Sequence, residues 1–364
     1  MGGFLAGDAV RPLGDVNGDG LDDLGLRDYV VFSELEIAPL LYDETLLSQR
    51  GFRVSWASQD AAPEPRAAGD VNGDGLADLL VLHEPMGRAW IIFGKADLTP
   101  VDLSEVESGI GGFVVTEVGG VASVPPLGDV DGDGLGDLAF STSSLEETRV
   151  IRGKADGDLV ALGSDALLTV PGVARIAAGD FDGDGVVDLA LCGPTLEILS
   201  APGGWQSPML HTTALGYTCG LGGLFQGGDF DVDGHDDLAF DAIVDAVATA
   251  ILFGPVVTEG EPPGEADLST YFVSTYGAAL ADLDGDGDSE VIVARDDDDG
   301  SSIWTWKIED QKTPTECMPP QDRLYGPGKA AWVDVVGDLD GDGRDDLFES
   351  HSSVVITRVC SEVK

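Results

Sequence analysis

A ten-residue pattern recurs seven times in this sequence, and its residues are the ones best suited to chemistry. The copies read GDVNGDGLDD (14–23), GDVNGDGLAD (69–78), GDVDGDGLGD (128–137), GDFDGDGVVD (179–188), GDFDVDGHDD (228–237), ADLDGDGDSE (281–290) and GDLDGDGRDD (337–346). Counted from the first aspartate, every copy has a side-chain oxygen at positions 1, 3, 5 and 9 and glycine at position 6. Calcium takes about six to eight hard oxygen ligands, and a tight loop can turn alternate side chains and one backbone carbonyl, here from position 7, onto one ion. Glycine at position 6 permits the sharp turn this needs. Magnesium fits less well, since it demands a stricter octahedron and retains waters. A single such stretch could be an ordinary polar turn; seven in register read as cation sites.

Other calcium loops open the same way but differ toward their C-terminal ends. An EF-hand closes with glutamate at position 12, where the first and sixth copies have Leu26 and Val293. Dockerin modules carry two copies followed by helices. Here the first aspartates, Asp15, Asp70, Asp129, Asp180, Asp229, Asp282 and Asp338, recur at a period of roughly fifty residues along the whole chain.

The segments between the loops must position them. Short apolar runs succeed the loops: DLLVLH (78–83), DLAFST (137–142), DLALCG (188–193), DLAFDA (237–242), EVIVAR (290–295) and DLFESH (346–351). Polar turns lead to β-rich runs such as RAWIIFG (88–94), SIWTWKI (302–308) and SVVITRV (353–359), and then to GFVVTEV (112–118) or TYFVSTY (270–276). Their length, β-branched content and Gly/Pro punctuation predict strands joined by turns, with no long helical periodicity. Four such strands per repeat predict an all-β, seven-bladed β-propeller of four-stranded blades, one domain spanning 1–364. The last copy has room for only three strands, so Gly3–Ala6 is expected to complete it beside 353–359 and close the ring, removing exposed sheet edges.

Charge narrows the partners. With 67 acidic against 19 basic residues, the net charge is −48, which disfavours phosphate backbones and anionic lipid surfaces. The loop ligands account for 26 of these acids, and seven divalent ions would take −48 to −34. No apolar run approaches the roughly 18 residues of a membrane span, and no charged-then-apolar leader opens the sequence.

The loops, with HEPMGRAWIIFGKADL (83–98) and GFVVTEV (112–118), resemble the FG-GAP repeats of integrin α-subunit propellers and their bacterial relatives. The resemblance implies loops that join the first two strands of each blade on one face and bind calcium structurally, with partners meeting the opposite face. Carried over, the side-chain ligands are Asp15, Asn17, Asp19 and Asp23; Asp70, Asn72, Asp74 and Asp78; Asp129, Asp131, Asp133 and Asp137; and Asp180, Asp182, Asp184 and Asp188. The later loops supply Asp229, Asp231, Asp233 and Asp237; Asp282, Asp284, Asp286 and Glu290; and Asp338, Asp340, Asp342 and Asp346. Leu21, Leu76, Leu135, Val186, His235, Asp288 and Arg344 would give backbone carbonyls. The FG and GAP signatures are eroded in most copies, and Val232 replaces glycine at position 4 of the fifth loop. If that position needs positive φ, a β-branched residue costs free energy there.

Catalytic constellations are missing from the sequence. His83, His211, His235 and His351 form no HExxH, and neither a GxSxG elbow nor a Walker glycine loop occurs. A non-enzymatic role is expected. Cys192, Cys219, Cys317 and Cys360 show no CxxC spacing; they could form two disulfides, Cys192–Cys219 and Cys317–Cys360, or remain buried thiols. The tryptophans, including Trp304 and Trp306 on one strand face, are expected in inter-blade packing, and the acidic run Asp296–Asp299 in a turn. Two function classes remain: a protein-binding or adhesion module using loops around 83–88, 141–147, 241–245, 295–301 and 349–353, and a glycan-binding propeller. A structural role within a larger surface protein is a third. The between-blade aromatics do not recur in register, which favours protein binding. An extracellular, cell-surface or periplasmic monomer is expected, where calcium is abundant.

Overall fold

A computed structural model describes residues 10–34, 44–56, 63–142, 147–172, 175–193, 195–201, 205, 211–215, 225–243, 247–255, 270–272, 278–297, 300–307, 315–316, 333–349 and 354–356. The expected closing segment Gly3–Ala6 lies outside these residues, as do Cys219, Cys317, Cys360 and Trp332. The chain forms two compact units, Met1–Ala174 with Val336–Gly341, and Arg175–Val335 with Asp342–Lys364.

Strands dominate, and the helices among the described residues are single turns such as Glu44–Leu47 and Leu103–Val106. In the first unit, Val10–Gly14, Asp23–Leu26, Tyr29–Val31 and Gly51–Ser55 form one sheet in chain order. Arg66–Gly69, Asp78–His83, Arg88–Ile92 and Gly112–Thr116 form the second. Pro126–Gly128, Asp137–Thr142, Glu147–Ile151 and Leu168–Pro171 form the third, with Val121–Ser123 also paired to its second strand. The first two sheets each gain a short parallel strand from later chain: Val101–Asp102 beside Gly51–Ser55, and Val160–Ala161 beside Gly112–Thr116.

In the second unit the order repeats. Arg175–Gly179, Asp188–Cys192, Leu196–Ser200 and His211–Ala214 form the fourth sheet. The fifth is Phe225–Gly228, Asp237–Ile243, Val247–Leu252 and Thr270–Phe272, and the sixth Ala278–Ala281, Glu290–Asp297, Gly300–Lys307 and Thr315–Glu316. A last sheet contains Val333–Gly337, Asp346–Glu349 and Val354–Ile356. The apolar runs after the loops are therefore the second strands, as expected. One expectation needs correction: Asp296 and Asp297 pair with Ser301 and Gly300, so the acidic run begins inside a strand because ladder pairing continues through them; Asp298 and Asp299 lie outside the described residues.

Alternation along the strands places apolar side chains on both faces. Leu79, Val81, Trp90 and Ile92 pack with Leu13, Val30, Phe52 and Val54 of the first sheet. Leu80, Ala89 and Ile91 face the other way, toward Leu138, Phe140 and Ile151 of the third. A sheet covered on both sides needs near-continuous apolar strands, which is what the runs after the loops supply. Trp90 is fully buried in this packing, as expected for an inter-sheet tryptophan. In the second unit, Ala190, Ile198 and Leu196 meet Leu238, Phe240 and Ala250, and Cys192 is buried in the same cluster.

Candidate metal centres

Each loop leaves the first strand of its sheet and returns as the second. Pairing sets Gly14 opposite Asp23, Gly69 opposite Asp78, Gly128 opposite Asp137, Gly179 opposite Asp188, Gly228 opposite Asp237 and Ala281 opposite Glu290. The sheet register itself therefore brings the two ends of each loop together.

Position 1 organises the loop from within. Asp15 accepts hydrogen bonds from the amides of Gly18 at 2.7 Å, Asp19 at 3.2 Å and Gly20 at 2.8 Å. Asp70, Asp129 and Asp180 make the same three bonds. Position 4 is left-handed throughout, with glycine φ between 72° and 79° in six loops and φ 55° at Val232. The fifth loop therefore carries the strain its sequence implies, on a side chain left exposed.

Position 9 ties the loop to its sheet. Asp23 accepts from Val16 N at 3.0 Å and Ser33 N at 2.9 Å. Asp78 accepts from Val71 and Gly94, Asp137 from Val130 and Gly153, and Asp237 from Phe230 and Gly254. Glycine at this third-strand exit is required by close approach: a Cβ on Gly94 would lie 2.7 Å from the Ala77 carbonyl, and one on Gly254 2.6 Å from that of Asp236. Position 2, apolar in every copy, plugs the base of each loop; Val16, Val71, Val130, Phe181, Phe230, Leu283 and Leu339 are all buried.

Three of the four expected side-chain positions converge. In the last five loops the acids at positions 1, 3 and 9 bring ligand oxygens within 4.8 Å of one another: Asp129, Asp131 and Asp137; Asp180, Asp182 and Asp188; Asp229, Asp231 and Asp237; Asp282, Asp284 and Glu290; Asp338, Asp340 and Asp346. The first two loops carry Asn17 and Asn72 at position 3, each donating from Nδ2 to the position-5 carboxylate at 3.0 Å. Position 5 falls outside the groups. Its carboxylate accepts from the position-7 amide, as Asp19 does from Leu21 at 2.9 Å and Asp233 from His235 at 2.9 Å.

Such clustering is costly for bare carboxylates. Burial, reinforced by neighbouring loop aspartates, pushes Asp23, Asp78 and Asp188 up to about 7 and Asp137 and Asp237 up to about 6. Neither oxygen of Asp188 is in hydrogen-bond geometry, although the Ser200 hydroxyl lies near enough to temper its charge. The buried Oδ1 of Asp131 likewise has no hydrogen-bond partner. Buried carboxylate oxygens of this kind need a compensating proton or cation, and an all-oxygen donor set suits a hard cation. The residues present fit calcium.

Two features escaped the sequence reading. Arg152 Nε donates to Asp131 Oδ2 at 2.5 Å, placing a guanidinium on the carboxylate of an expected third-loop ligand. The other feature is position 8, whose backbone links one loop to another within each unit. Asp22 N donates to Asp338 O, Ala77 N to Asp15 O, Gly136 N to Asp70 O and Asp345 N to Asp282 O, at 2.7–3.1 Å. Where position 8 is aspartate, its carboxylate accepts the position-1 amide of another loop: Asp338 N to Asp22 at 3.1 Å, Asp180 N to Asp236 at 2.6 Å and Asp282 N to Asp345 at 2.9 Å. The doubled aspartates at positions 8 and 9 were the available signal.

The third and fourth loops, with the strands between them, match a known family model over residues 129–191. This segment is an FG-GAP-like repeat. No curated protein sequence matches the chain. Among solved structures, the V. cholerae biofilm matrix protein Bap1 is similar at 16% identity and TM-score 0.37, over 77% of this chain and 41% of that one. The rhamnogalacturonan lyase YesW aligns at 12% identity and TM-score 0.37, covering 95% of this chain and 67% of the lyase. A Bacillus licheniformis rhamnogalacturonan lyase aligns at 12% identity and TM-score 0.35, over 96% and 81%. Among the described residues, no helix is long and apolar enough to cross a membrane.

Proposed function

We propose that the chain is a calcium-stabilised, closed seven-bladed propeller acting as an extracellular protein-interaction or adhesion module, with calcium structural and no catalytic role. The observation that carries this reading is the convergence of acids at positions 1, 3 and 9, the last of them buried, in five of the loops. The FG-GAP-like match over 129–191 supports it. Closure is supported by the bonds between Asp22 and Asp338, residues from the first and last loops.

Up to seven ions are expected. Each contributes about 2.7 kcal/mol when free calcium stands at a hundred times Kd. Chelation should therefore lower the melting temperature by well over about 10 °C, a fall reversed by calcium but not by magnesium. A melt indifferent to excess EDTA would overturn the metal reading.

Partners, proteins in the first instance, would meet the face opposite the loops, reached by turns such as 83–88. The alternative is a glycan ligand. One contact favours it: Trp56, partly exposed, lies edge-on to His83 with ring centroids 4.8 Å apart, at the end of the second strand remote from its loop. A glycan array run beside a pull-down from cell-surface extract separates the two. Specific glycan retention with no captured protein would replace the adhesion reading.

A further inference from the structure

We propose that the position-8 aspartates Asp22, Asp236 and Asp345 are positioning residues that couple neighbouring cation sites, so that filling one loop orders the ligands of the loop before it. This inference rests on the calcium reading above.

The geometry that carries it is a carboxylate link that three loops supply and others, such as those of Ala77, Gly136 and Ser289, do not. Position 8 lies between two expected ligands of its own loop, the position-7 carbonyl and the position-9 carboxylate. Asp236, for example, separates His235 from the buried Asp237. An ion that engages those neighbours fixes the backbone of Asp236 and, through it, the carboxylate. That carboxylate holds the amide of Asp180 at 2.6 Å, and Asp180 is itself the residue whose side chain binds the amides of Gly183, Asp184 and Gly185. Order in the fifth loop is thus delivered to the residue on which the fourth loop is built. Asp345 stands in the same relation to Asp282 and Asp22 to Asp338, each with a return bond from its own amide to the partner's carbonyl.

Other junctions lack the carboxylate. Ala77 and Gly136 offer only a backbone amide to Asp15 and Asp70, and Ser289 N reaches Phe230 O rather than a ligand residue. The molecule therefore contains its own controls. Coupling through ordering is reciprocal, because a ligand that restricts a shared segment leaves less freedom for the next to remove. A charge-assisted hydrogen bond is among the stronger ones available to transmit it.

Hydrogen exchange of the full-length chain, in saturating calcium and in EDTA, tests the idea. Asp231→Ala with Asp233→Ala removes oxygens of the fifth loop while leaving Asp229 in place. Exchange of the fourth-loop amides, Gly183 and Gly185 among them, should accelerate about fivefold or more in calcium, the range expected for a coupling of this kind. The matching change in the second loop, Asn72→Ala with Asp74→Ala, should leave first-loop exchange within about twofold, since Ala77 has no acceptor to offer. On an Asp236→Ala background, emptying the fifth loop should no longer affect the fourth. Such non-additivity is something a merely structural role for Asp236 would not produce. Should Asp236→Ala fail to fold, the comparison of the two junctions stands without it. Equal effects at the two junctions, or an unmoved fourth loop, would overturn the coupling. Exchange insensitive to EDTA in every loop would instead remove the calcium reading beneath it.

Discussion

Asp23, Asp78, Asp137, Asp188 and Asp237 begin the second strands of their sheets at 1% exposure or less, and burial is the main reason their pKa values rise to between about 6 and about 7 from an ordinary 3.8. The folded, ion-free chain therefore holds more protons than the unfolded chain between about pH 4 and 7, and its stability falls as pH rises through that window. Calcium needs the deprotonated form, so acidification weakens its hold. In EDTA the melting temperature should be higher at pH 5 than at pH 7.5, while the gain from calcium should shrink toward pH 5. Thermal scans at both pH values with and without calcium read both trends; an ion-free chain that melts lower at pH 5 contradicts the assignment. Val232 makes a second case at this scale. A β-branched residue at φ 55° stores strain of about 1–3 kcal/mol, part of which glycine's extra unfolded-state freedom offsets. Val232→Gly should raise stability by about 1 kcal/mol, seen as a higher urea midpoint. The position-4 replacement was legible in the sequence; Arg152 was not, because its contact with Asp131 joins a strand end to a loop twenty-one residues away.

At the scale of the element, the loop and the sheet hold each other. The ladder pairs the loop ends, and in four sheets the position-9 carboxylate, buried at the base, bonds to the position-2 amide and to a residue just past the third strand, as Asp78 does to Val71 and Gly94. The second sheet shows the packing most clearly, with Trp90 fully buried toward the first sheet and Ile91 toward the third. Trp90→Ala should cost about 3–5 kcal/mol, the range for emptying a buried aromatic site. Gly94→Ala, whose methyl would strike the Ala77 carbonyl, should cost about 1–3 kcal/mol. Both can be measured by denaturant titration in calcium, and a neutral Gly94→Ala would contradict the close approach. The strands were legible because both-face burial writes itself as unbroken apolar runs. The continuation of Glu290–Asp297 through its acids was not, because ladder pairing there overrides a composition that reads as a turn.

For the whole molecule, a net charge of −48 works against compaction unless cations are gathered or the charges stay in water. The proposed closure adds a further demand, that the last sheet be completed by the start of the chain. A chain beginning at residue 9 should then melt several degrees lower in calcium, since an open sheet edge loses both packing and ladder bonds. Unchanged melting would separate the seven-repeat arrangement from ring closure.

The sequence by itself determined the number and period of the loops, the oxygen-bearing positions, the glycines and the all-β character. These are properties of residue type and local spacing, which a linear chain displays directly. Tertiary structure alone decided which oxygens converge: those at positions 1, 3 and 9 gather, while position 5 turns to the position-7 amide. It also gave position 8 its place between loops. The position-8 contacts join residues of different repeats, 56 apart for Asp180 and Asp236 and 316 apart for Asp22 and Asp338, and their approach depends on how neighbouring sheets pack rather than on any spacing within a repeat.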